Sequence, residues 1–381
     1  MKMRLSVWIE PSYMKTPWYH ELISGIKAEL GKRGLKAAFL VTDDINPPAA
    51  GSDLALLAGE TTGWFSRMHQ FASANKIRVC SASSDPAIAA SNSACVTLDR
   101  QRDMFQMVQY LAHAGRERIV LWGINAASPA DQKRVAGFLQ AAQAFHLPIS
   151  SQDILYTTGR IADCSQRLIS NLHKYNAIIA SNDLYAVYLL PVLKKYGARI
   201  PEDFYLAAFG NSILSQLCEP TLTTASLNHY ELGRQAVICS HYLLSNPQVS
   251  QMFISIHGDF YARASTENAP FDSSEAAFLS SEPLDEISSY NDPDLKMIAG
   301  LEVCLGWRDA VITDILRYCA SDKPFSLLAE SLYISDSTLD YRLRKIYAQL
   351  GFSSRTALRT LVQTTTPLLK SLTADTLPPP V

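Results

Sequence analysis

The chain has 381 residues, which is longer than a single hydrophobic core usually supports, and 48% of them are hydrophobic. Two or three domains are therefore expected. The formal net charge of −2 excludes no class of partner, because a short basic DNA-binding unit can be masked by a larger acidic domain. No run of about 18 uncharged apolar residues occurs, and the first apolar stretch is interrupted at Glu10, too early for a signal peptide. These features argue against a membrane protein and predict a soluble, cytoplasmic one.

The seven cysteines are odd in number, widely scattered and without any Cys-x-x-Cys pair. This distribution argues against a disulfide framework and against a zinc knuckle. Since a free cysteine behaves as a small buried hydrophobe, we expect these residues to pack in the core. They are Cys80, Cys95, Cys164, Cys218, Cys239, Cys304 and Cys319. The sequence predicts no bound metal ion and no cofactor.

Short apolar strands alternate with amphipathic segments over the first 266 residues, a pattern typical of a parallel sheet with helices on both faces. The first unit is a strand at Leu5 to Ile9 and a helix at Trp18 to Arg33, which should end at Gly34. Further strands are predicted at 37–41, 54–58, 78–80, 94–98, 118–122, 177–180 and 205–209. Further helices are predicted at 64–75, 101–114, 130–145 and 184–196. The expected fold is α/β, with two Rossmann-like lobes in tandem.

Seven short motifs of this region follow one another in a recognisable order. They are Leu111 to Ile119, Arg134 to Phe138, Ala177 to Ala186, Gly197 to Asp203, Pro220 to Thr224, Glu231 to Val237, and Arg263 to Thr266. Their order and spacing resemble the effector domain of lactose/galactose-repressor (LacI/GalR) regulators, which is similar to type I periplasmic binding proteins. The resemblance covers residues 1–266 and implies a small sugar-like molecule between the lobes. Such regulators carry a helix-turn-helix before this domain, whereas this sequence begins at the first sensor strand.

Two of these motifs contain candidate ligand-binding residues. Asn182 and Asp183 lie between a strand and a helix, and ligands of open parallel sheets bind beyond the carboxyl ends of strands. Asn182 could equally serve as the N-cap of the following helix. The planar guanidinium of Arg134 could bind sugar hydroxyls or a carboxylate, or it could lie exposed on its helix. The resemblance implies ligand contact, because the ligand-contacting arginine of the family falls on position 134.

Four more positions are candidates for ligand contact. Trp18 and Tyr19 occupy the first strand-to-helix loop, where the resembled family carries an aromatic side chain that stacks on a sugar; the alternative is a hydrophobic staple for the first helix. Asp99 falls on a family crossover position, where it could bind ligand or cap a helix. Asn211 stands where the family has the aspartate of a Gly-Phe-Asp motif, so the usual acceptor of sugar hydroxyls is absent.

After Arg263 the composition changes to Ser, Glu, Asp, Asn and Pro, which predicts a linker at about 267–294. A second domain is expected at 295–370, followed by a disordered tail at 371–381. Helices are predicted in this domain at 295–305, 309–320, 326–331, 336–350 and 355–362.

The segment from Phe325 to Ile346 follows the logic of a helix-turn-helix. Small Ala329 lets two helices approach, Ile334 fills the turn, and Ser335 is placed to N-cap the second helix. The second helix has one apolar stripe, formed by Leu339, Leu343, Ile346 and Leu350.

The opposite face of this helix carries hydroxyl and basic groups suited to phosphates and base edges, although such a face is often merely solvated. The candidate DNA-contacting residues are Ser337, Thr338, Tyr341, Arg342, Arg344, Lys345 and Arg355. The segment resembles the output domains of both LuxR-type and PucR-type regulators, which bind DNA. Asp336, Asp340 and Tyr333, which replaces the usual turn glycine, depart from these families.

Three functions remain to be compared. The first is a homodimeric regulator that binds DNA under the control of a small-molecule effector. The second is a sensor whose C-terminal helices bind a protein, which is favoured if the face around Arg342 and Lys345 is covered. The third is an enzyme, which is disfavoured because no dinucleotide, Walker, zinc-protease or nucleophile-elbow motif occurs. Four isolated histidines, His113, His146, His173 and His229, are interpreted as surface or helix-end residues.

Overall fold

The computed structural model of the protein describes residues 4–16, 18–42, 52–82, 93–267, 292–321, 323–352 and 354–366. Its strands are β1 Leu5–Ile9, β2 Ala37–Val41, β3 Leu54–Ala58, β4 Arg78–Ala82, β5 Ser93–Leu98, β6 Ile119–Ile124, β7 Ile154–Tyr156, β8 Ala177–Ala180, β9 Tyr205–Gly210, β10 Thr223–Ser226, β11 Met252–Ile256 and β12 Phe260–Tyr261. Its helices are α1 Trp18–Lys32, α2 Thr62–Ala74, α3 Arg100–His113, α4 Pro129–Ala144, α5 Ile161–Ser170, α6 Asp183–Lys195, α7 Ile213–Leu217, α8 His229–Ser245, α9 Pro293–Gly306, α10 Ala310–Ala320, α11 Leu328–Ser331, α12 Asp336–Leu350 and α13 Arg355–Thr365.

The strands form two six-stranded sheets, one in each lobe. The order in the first lobe is β11-β5-β4-β3-β1-β2, and all its pairs are parallel. The order in the second lobe is β12-β10-β9-β8-β6-β7, with β12 antiparallel to β10. The chain crosses between the lobes after β5, after β10 and after β11. The predicted α/β architecture of two lobes is confirmed.

Helices α1 and α8 lie on the sheet of the first lobe. They pack closely against each other because a glycine of each helix lies where the two helices cross. A Cβ atom on Gly25 would lie 1.9 Å from the carbonyl oxygen of Tyr230, and one on Gly233 would lie 2.2 Å from that of Leu22. Beside this crossing, Arg234 Nη2 lies 3.1 Å from the buried carboxylate of Glu29. The Glu231-to-Val237 motif therefore has a packing role.

Most predicted boundaries agree with the structure, and Gly34 has the left-handed backbone expected of a helix end (φ 62°). The strands and helices that the prediction left out all lie between residues 154 and 261, namely β7, α5, α7, β10, α8, β11 and β12. All seven cysteines are free and buried, as predicted. His113, His146 and His173 are exposed. His229 is 3% exposed and is the first residue of α8, so of the two interpretations given for it the helix-end one is correct and the surface one was wrong.

The C-terminal helices pack directly against the second lobe. One cluster of buried apolar side chains includes Leu189 and Leu217 of that lobe together with Ile298 and Leu301 of α9. Helix α9 is buried around most of its surface, since it contacts α6 and α7 on one side and α12 on another. The predicted linker at 267–294 and the predicted tail at 371–381 lie almost entirely outside the described residues.

Within the described ranges, no helix is long and apolar enough to cross a membrane. The same ranges contain no group of His, Cys, Asp and Glu side chains arranged to hold a metal ion.

Candidate functional sites: an interlobe cluster and an exposed helix face

The carboxyl ends of the parallel strands carry polar side chains in both lobes. Glu10 follows β1 and Asp99 follows β5 in the first lobe, while Asn125, Asn182 and Asn211 follow β6, β8 and β9 in the second. This edge is where open parallel sheets bind ligands.

Trp18 lies between the two lobes. Its indole ring stacks on the imidazole of His229 with a centroid distance of 5.3 Å and an interplanar angle of 10°, and both residues are buried. A Cβ atom on Gly210 of the second lobe would lie 3.3 Å from Trp18 Cη2. Tyr19 instead makes edge contacts with Tyr13 and His20 of its own lobe. Of the two predicted aromatics, only Trp18 is thus placed against the opposite lobe.

Arg134 is 4% exposed, so the alternative of an exposed helix arginine was wrong. Its Nη1 atom lies 2.6 Å from Oδ1 of Asp131, one turn earlier on α4, and its guanidinium lies 5.1 Å from the ring centroid of Phe209. The Nε atom has no hydrogen-bond partner among the described residues. A buried N–H without a partner is costly, so this atom is available to a polar ligand.

His229 belongs to the same cluster, although the sequence interpretation missed it. Burial, followed by the charges of Arg100 and Arg134, lowers its pKa well below the usual range, so the imidazole is neutral at pH 7. Its Nδ1 atom has no hydrogen-bond partner within the described ranges. His229 and Arg134 together offer polar atoms beside the ring of Trp18.

Two further members of the cluster, Arg100 and Asp103, lie on the first turn of α3. Asp99 caps this helix, accepting the backbone N–H of Arg102 at 3.2 Å, and thereby fills the alternative role considered for it. Burial raises the pKa of Asp103 to about 7 even though its carboxylate accepts the N–H of Gly258 at 3.0 Å. The proximity of these residues to Asp99 in sequence is the signal that could have identified them.

Asn182, Asp183 and Asn211 form a different network, inside the second lobe. Asn182 is the N-cap of α6 and accepts the N–H of Tyr185 at 3.0 Å. Asp183 is fully buried and accepts hydrogen bonds from Ser212 N at 2.7 Å and Thr224 Oγ1 at 2.6 Å. Burial raises the pKa of Asp183, and these hydrogen bonds oppose the shift.

The side chain of Asn211 is also engaged within the lobe. Its Oδ1 accepts a hydrogen bond from Arg263 Nη2, and its backbone N–H donates to Thr224 Oγ1 at 3.2 Å. Asn211 and Asp183 therefore order the loop that follows β9, and ligand contact by these two residues stays a prediction.

The predicted helix-turn-helix segment consists of a 3₁₀ turn at Phe325–Leu327, the short helix α11, a turn and α12. Ser335 caps α12 as predicted, accepting the N–H of Thr338 at 3.2 Å. Tyr333 has a left-handed backbone (φ 53°) in the turn, where glycine is usual. The predicted apolar stripe is buried, comprising Leu339, Leu343, Ile346 and Leu350.

The predicted DNA-contacting side chains fall into two groups. Ser337, Tyr341 and Arg344 are exposed on one face of α12, and Tyr333 extends from the preceding turn. We call Tyr333, Ser337, Tyr341 and Arg344 the exposed stripe. The other side chains have partners within the domain: Thr338 Oγ1 with Ser335 at 2.9 Å, Arg342 with Asp309 at 2.7 Å, Lys345 over the ring of Trp307 at 4.0 Å, and Arg355 with Asp340 at 3.7 Å. Ser337 Oγ also lies 2.9 Å from Ser335 Oγ, and Lys345 and Arg355 are exposed residues.

Residues 108–266 match the model of the periplasmic binding protein-like domain. Solved structures extend the likeness to both lobes. A transcriptional regulator CelR–cellobiose complex aligns with a TM-score of 0.59 and 17% identity, covering 70% of this chain and 84% of that one. A LacI family transcriptional regulator from Enterococcus faecium with bound ribose aligns with a TM-score of 0.56 and 19% identity, covering 70% of this chain and 100% of that one. The two lobes have the type I periplasmic-binding-protein fold.

The sequence relatives are transcriptional regulators. The HTH-type transcriptional repressor CytR of Escherichia coli strain K12 is 29% identical over 146 residues, which are 38% of this chain. The match spans 43% of the length of that relative.

Proposed function

We propose that the protein is a transcription regulator in which a small molecule, bound between the lobes, controls DNA binding by the C-terminal helices. The observation that carries this proposal is the combination, in one packed structure, of an interlobe polar cluster with an exposed helix face of hydroxyl and basic groups. The relatives are transcriptional regulators, and two similar structures are described with cellobiose and ribose.

The ligand we propose is a sugar or a related polar metabolite with a ring. An aromatic side chain buries the apolar face of such a ring, while Arg134 Nε and His229 Nδ1 supply hydrogen bonds. Asp99 belongs to the proposed ligand site because it directly precedes Arg100 in the sequence. A neutral His229 can donate or accept a hydrogen bond, so a hydroxyl group of the ligand suits it better than a positively charged group of the ligand would.

We propose that DNA is contacted by the exposed stripe, with Arg344 as its main cation. Arginine binds phosphate or the edge of guanine through two parallel hydrogen bonds, and tyrosine and serine hydroxyls bind phosphates. Lys345 and Arg355, which are exposed residues although each has a partner within the domain, add positive charge at the border of the stripe. We further propose a homodimer, because two copies of such a helix read a two-fold DNA site.

A second function is favoured by one observation. Tyr333 is 97% exposed and Tyr341 is 65% exposed, while Arg342 is held by Asp309. Exposed tyrosines beside an arginine are typical of protein interfaces, so the same stripe suits a protein partner.

Two measurements test the proposed function. Thermal unfolding with ribose and with cellobiose should show a rise in melting temperature for a bound sugar, and Trp18→Ala should abolish that rise. DNA fragments of random sequence should be retained at moderate salt and released at high salt. Retention of no fragment, together with capture of a protein that Tyr341→Ala releases, would favour the second function.

A further inference from the structure

One contact joins the loop beside the interlobe cluster to the C-terminal helices. The carboxylate of Glu302, on α9, accepts the backbone N–H groups of Ile213 at 2.8 Å and Leu214 at 2.9 Å. These amides belong to the first turn of α7, whose N-cap is Ser212. Glu302 is 9% exposed, so its hydrogen bonds are shielded from water and correspondingly strong.

At its other end, the same short segment reaches the space between the lobes. Ser212 N donates to Asp183, and Asn211 N donates to Thr224, which fixes residues 211 and 212 to the second lobe. Gly210, the preceding residue, lies against the tip of Trp18 from the first lobe. A change in the spacing of the lobes at Trp18 therefore acts on a segment that Glu302 holds.

Helix α9 carries this contact toward α12. A Cβ atom on Gly300, half a turn before Glu302, would lie 2.9 Å from Leu350 Cδ2 and 3.0 Å from the carbonyl oxygen of Gln349. Because the two helices touch through backbone, a shift of α9 displaces the end of α12. Packed helices respond to such a shift as rigid bodies rather than by bending locally.

The first lobe also faces this point. Burial, and after it the charge of Glu302, raise the pKa of Glu21, on α1, to about 8. Glu302 thus binds the second lobe through its hydrogen bonds and acts on Glu21 of the first lobe through its charge.

We propose that Glu302 couples the interlobe cluster to α12, so that movement of the first lobe against the loop at 210–214 repositions the C-terminal helices. The proposal rests on the proposed function for its biological meaning. The coupling itself is testable without DNA and without the natural ligand.

The test is hydrogen–deuterium exchange by mass spectrometry on the full chain, with Trp18→Ala as the disturbance between the lobes. In a chain with native Glu302, Trp18→Ala should change the exchange of residues 210–217 and also of α9 and α12. In the Glu302→Gln background the change should stop at 210–217. At about pH 8, above the pKa of about 7 that burial gives Glu302, its carboxylate is charged. Glu302→Gln alone should then accelerate the exchange of Ile213 and Leu214 about tenfold, the effect of weakening hydrogen bonds to a charged acceptor.

The matched control is Glu330→Gln, which makes the same chemical change on an exposed residue of α11. It should transmit the effect of Trp18→Ala as the native chain does. If Glu302→Gln fails to fold by circular dichroism, Glu302→Asp replaces it, because it keeps the charge and withdraws the carboxylate by one methylene. Glu302→Asp should likewise confine the effect of Trp18→Ala to residues 210–217.

Two results would overturn the coupling. One is that Trp18→Ala leaves the exchange of α9 and α12 unchanged in a chain with native Glu302, and the other is that it changes their exchange equally when Glu302 is replaced. Failure of the chain to retain any DNA fragment would contradict the proposed function instead. It would leave the exchange result standing.

Discussion

Nη1 of Arg342 lies 2.7 Å from Oδ2 of Asp309, and this ion pair ties α12 to the start of α10. Asp309 is also the N-cap of α10, where its Oδ1 accepts the N–H of Ile312 at 3.2 Å. One carboxylate therefore both begins a helix and orients the helix that carries the exposed stripe.

The double role of Asp309 predicts a measurable loss of stability. Asp309→Ala removes the cap, which should lower the free energy of unfolding by about 1–2 kcal/mol, and it removes a partly exposed ion pair worth at most about 1 kcal/mol. Urea denaturation measures the change. Asp309→Asn keeps a capping oxygen and should recover most of the loss; equal losses in the two variants would contradict the capping role.

The crossing of α1 and α8 predicts opposite effects of two glycine substitutions. Gly233→Ala places a methyl group 2.2 Å from a backbone oxygen and should cost about 1–3 kcal/mol through overpacking. Gly31→Ala, also on a helix of this crossing, meets no atom within 4 Å and should stabilise by up to about 1 kcal/mol. Thermal unfolding of the two variants compares them directly, and a tolerated Gly233→Ala would show that the helices can separate.

Buried carboxyl groups predict that the free energy of unfolding falls as pH rises through neutrality. The pKa values of Glu21 and Glu302 are raised from 4.5 to about 8 and about 7, mainly by burial. The folded state therefore binds more protons than the unfolded state between these values, and the free energy of unfolding decreases as pH rises through that window.

His20, His69 and His229 have lowered pKa values, so their effect has the opposite sign. It is complete by about pH 7, above which they are neutral in both the folded and the unfolded state. Urea denaturation between about pH 7 and 8 follows the carboxyl groups whose pKa values are raised, which include Asp103 and Glu60 as well as Glu302 and Glu21. Glu21→Gln should flatten the slope in this range. A slope that Glu21→Gln leaves unchanged would refute the assignment.

The buried pair of Arg134 and Asp131 predicts a strong effect from removing the cation. Arg134→Met leaves a buried carboxylate without its ion-pair partner and should cost about 3 kcal/mol. The matched control is Arg160→Met, since Arg160 forms an exposed pair with Asp294 at 3.5 Å and should matter by less than about 1 kcal/mol. Similar melting temperatures for the two variants would show that Arg134 is not structurally engaged.

Local sequence signals predicted much of the fold. The strands at 5–9, 54–58 and 177–180 could be predicted because apolar runs of this length are too short for a typical buried helix. Ser335 could be predicted as a helix cap from its position before an apolar stripe. Long-range partners could not be predicted. No local pattern indicates that Asp309 will meet Arg342, 33 residues later, or that Glu302 will bind the amides of α7.

The candidate site was predicted only in part for the same reason. Trp18 was assigned by its position in the first strand-to-helix loop, and Arg134 by the family resemblance. His229 joins them because the chain after β10 places the start of α8 between the lobes. Asp183 and Asn211 follow strands as ligand-binding residues do, yet their partners Ser212, Thr224 and Arg263 hold them inside the second lobe.

The most direct test of the proposed regulator is selection of DNA from a random pool by the full chain and by two arginine variants, with recovered fragments sequenced. The account predicts enrichment of a salt-sensitive, two-fold sequence by the native chain. Arg344→Ala should lose this enrichment, with a smaller salt dependence by about one phosphate contact, while Arg342→Ala should keep the sequence preference. Retention unchanged by Arg344→Ala, or no enrichment by the native chain, would contradict the claim that the exposed stripe binds DNA.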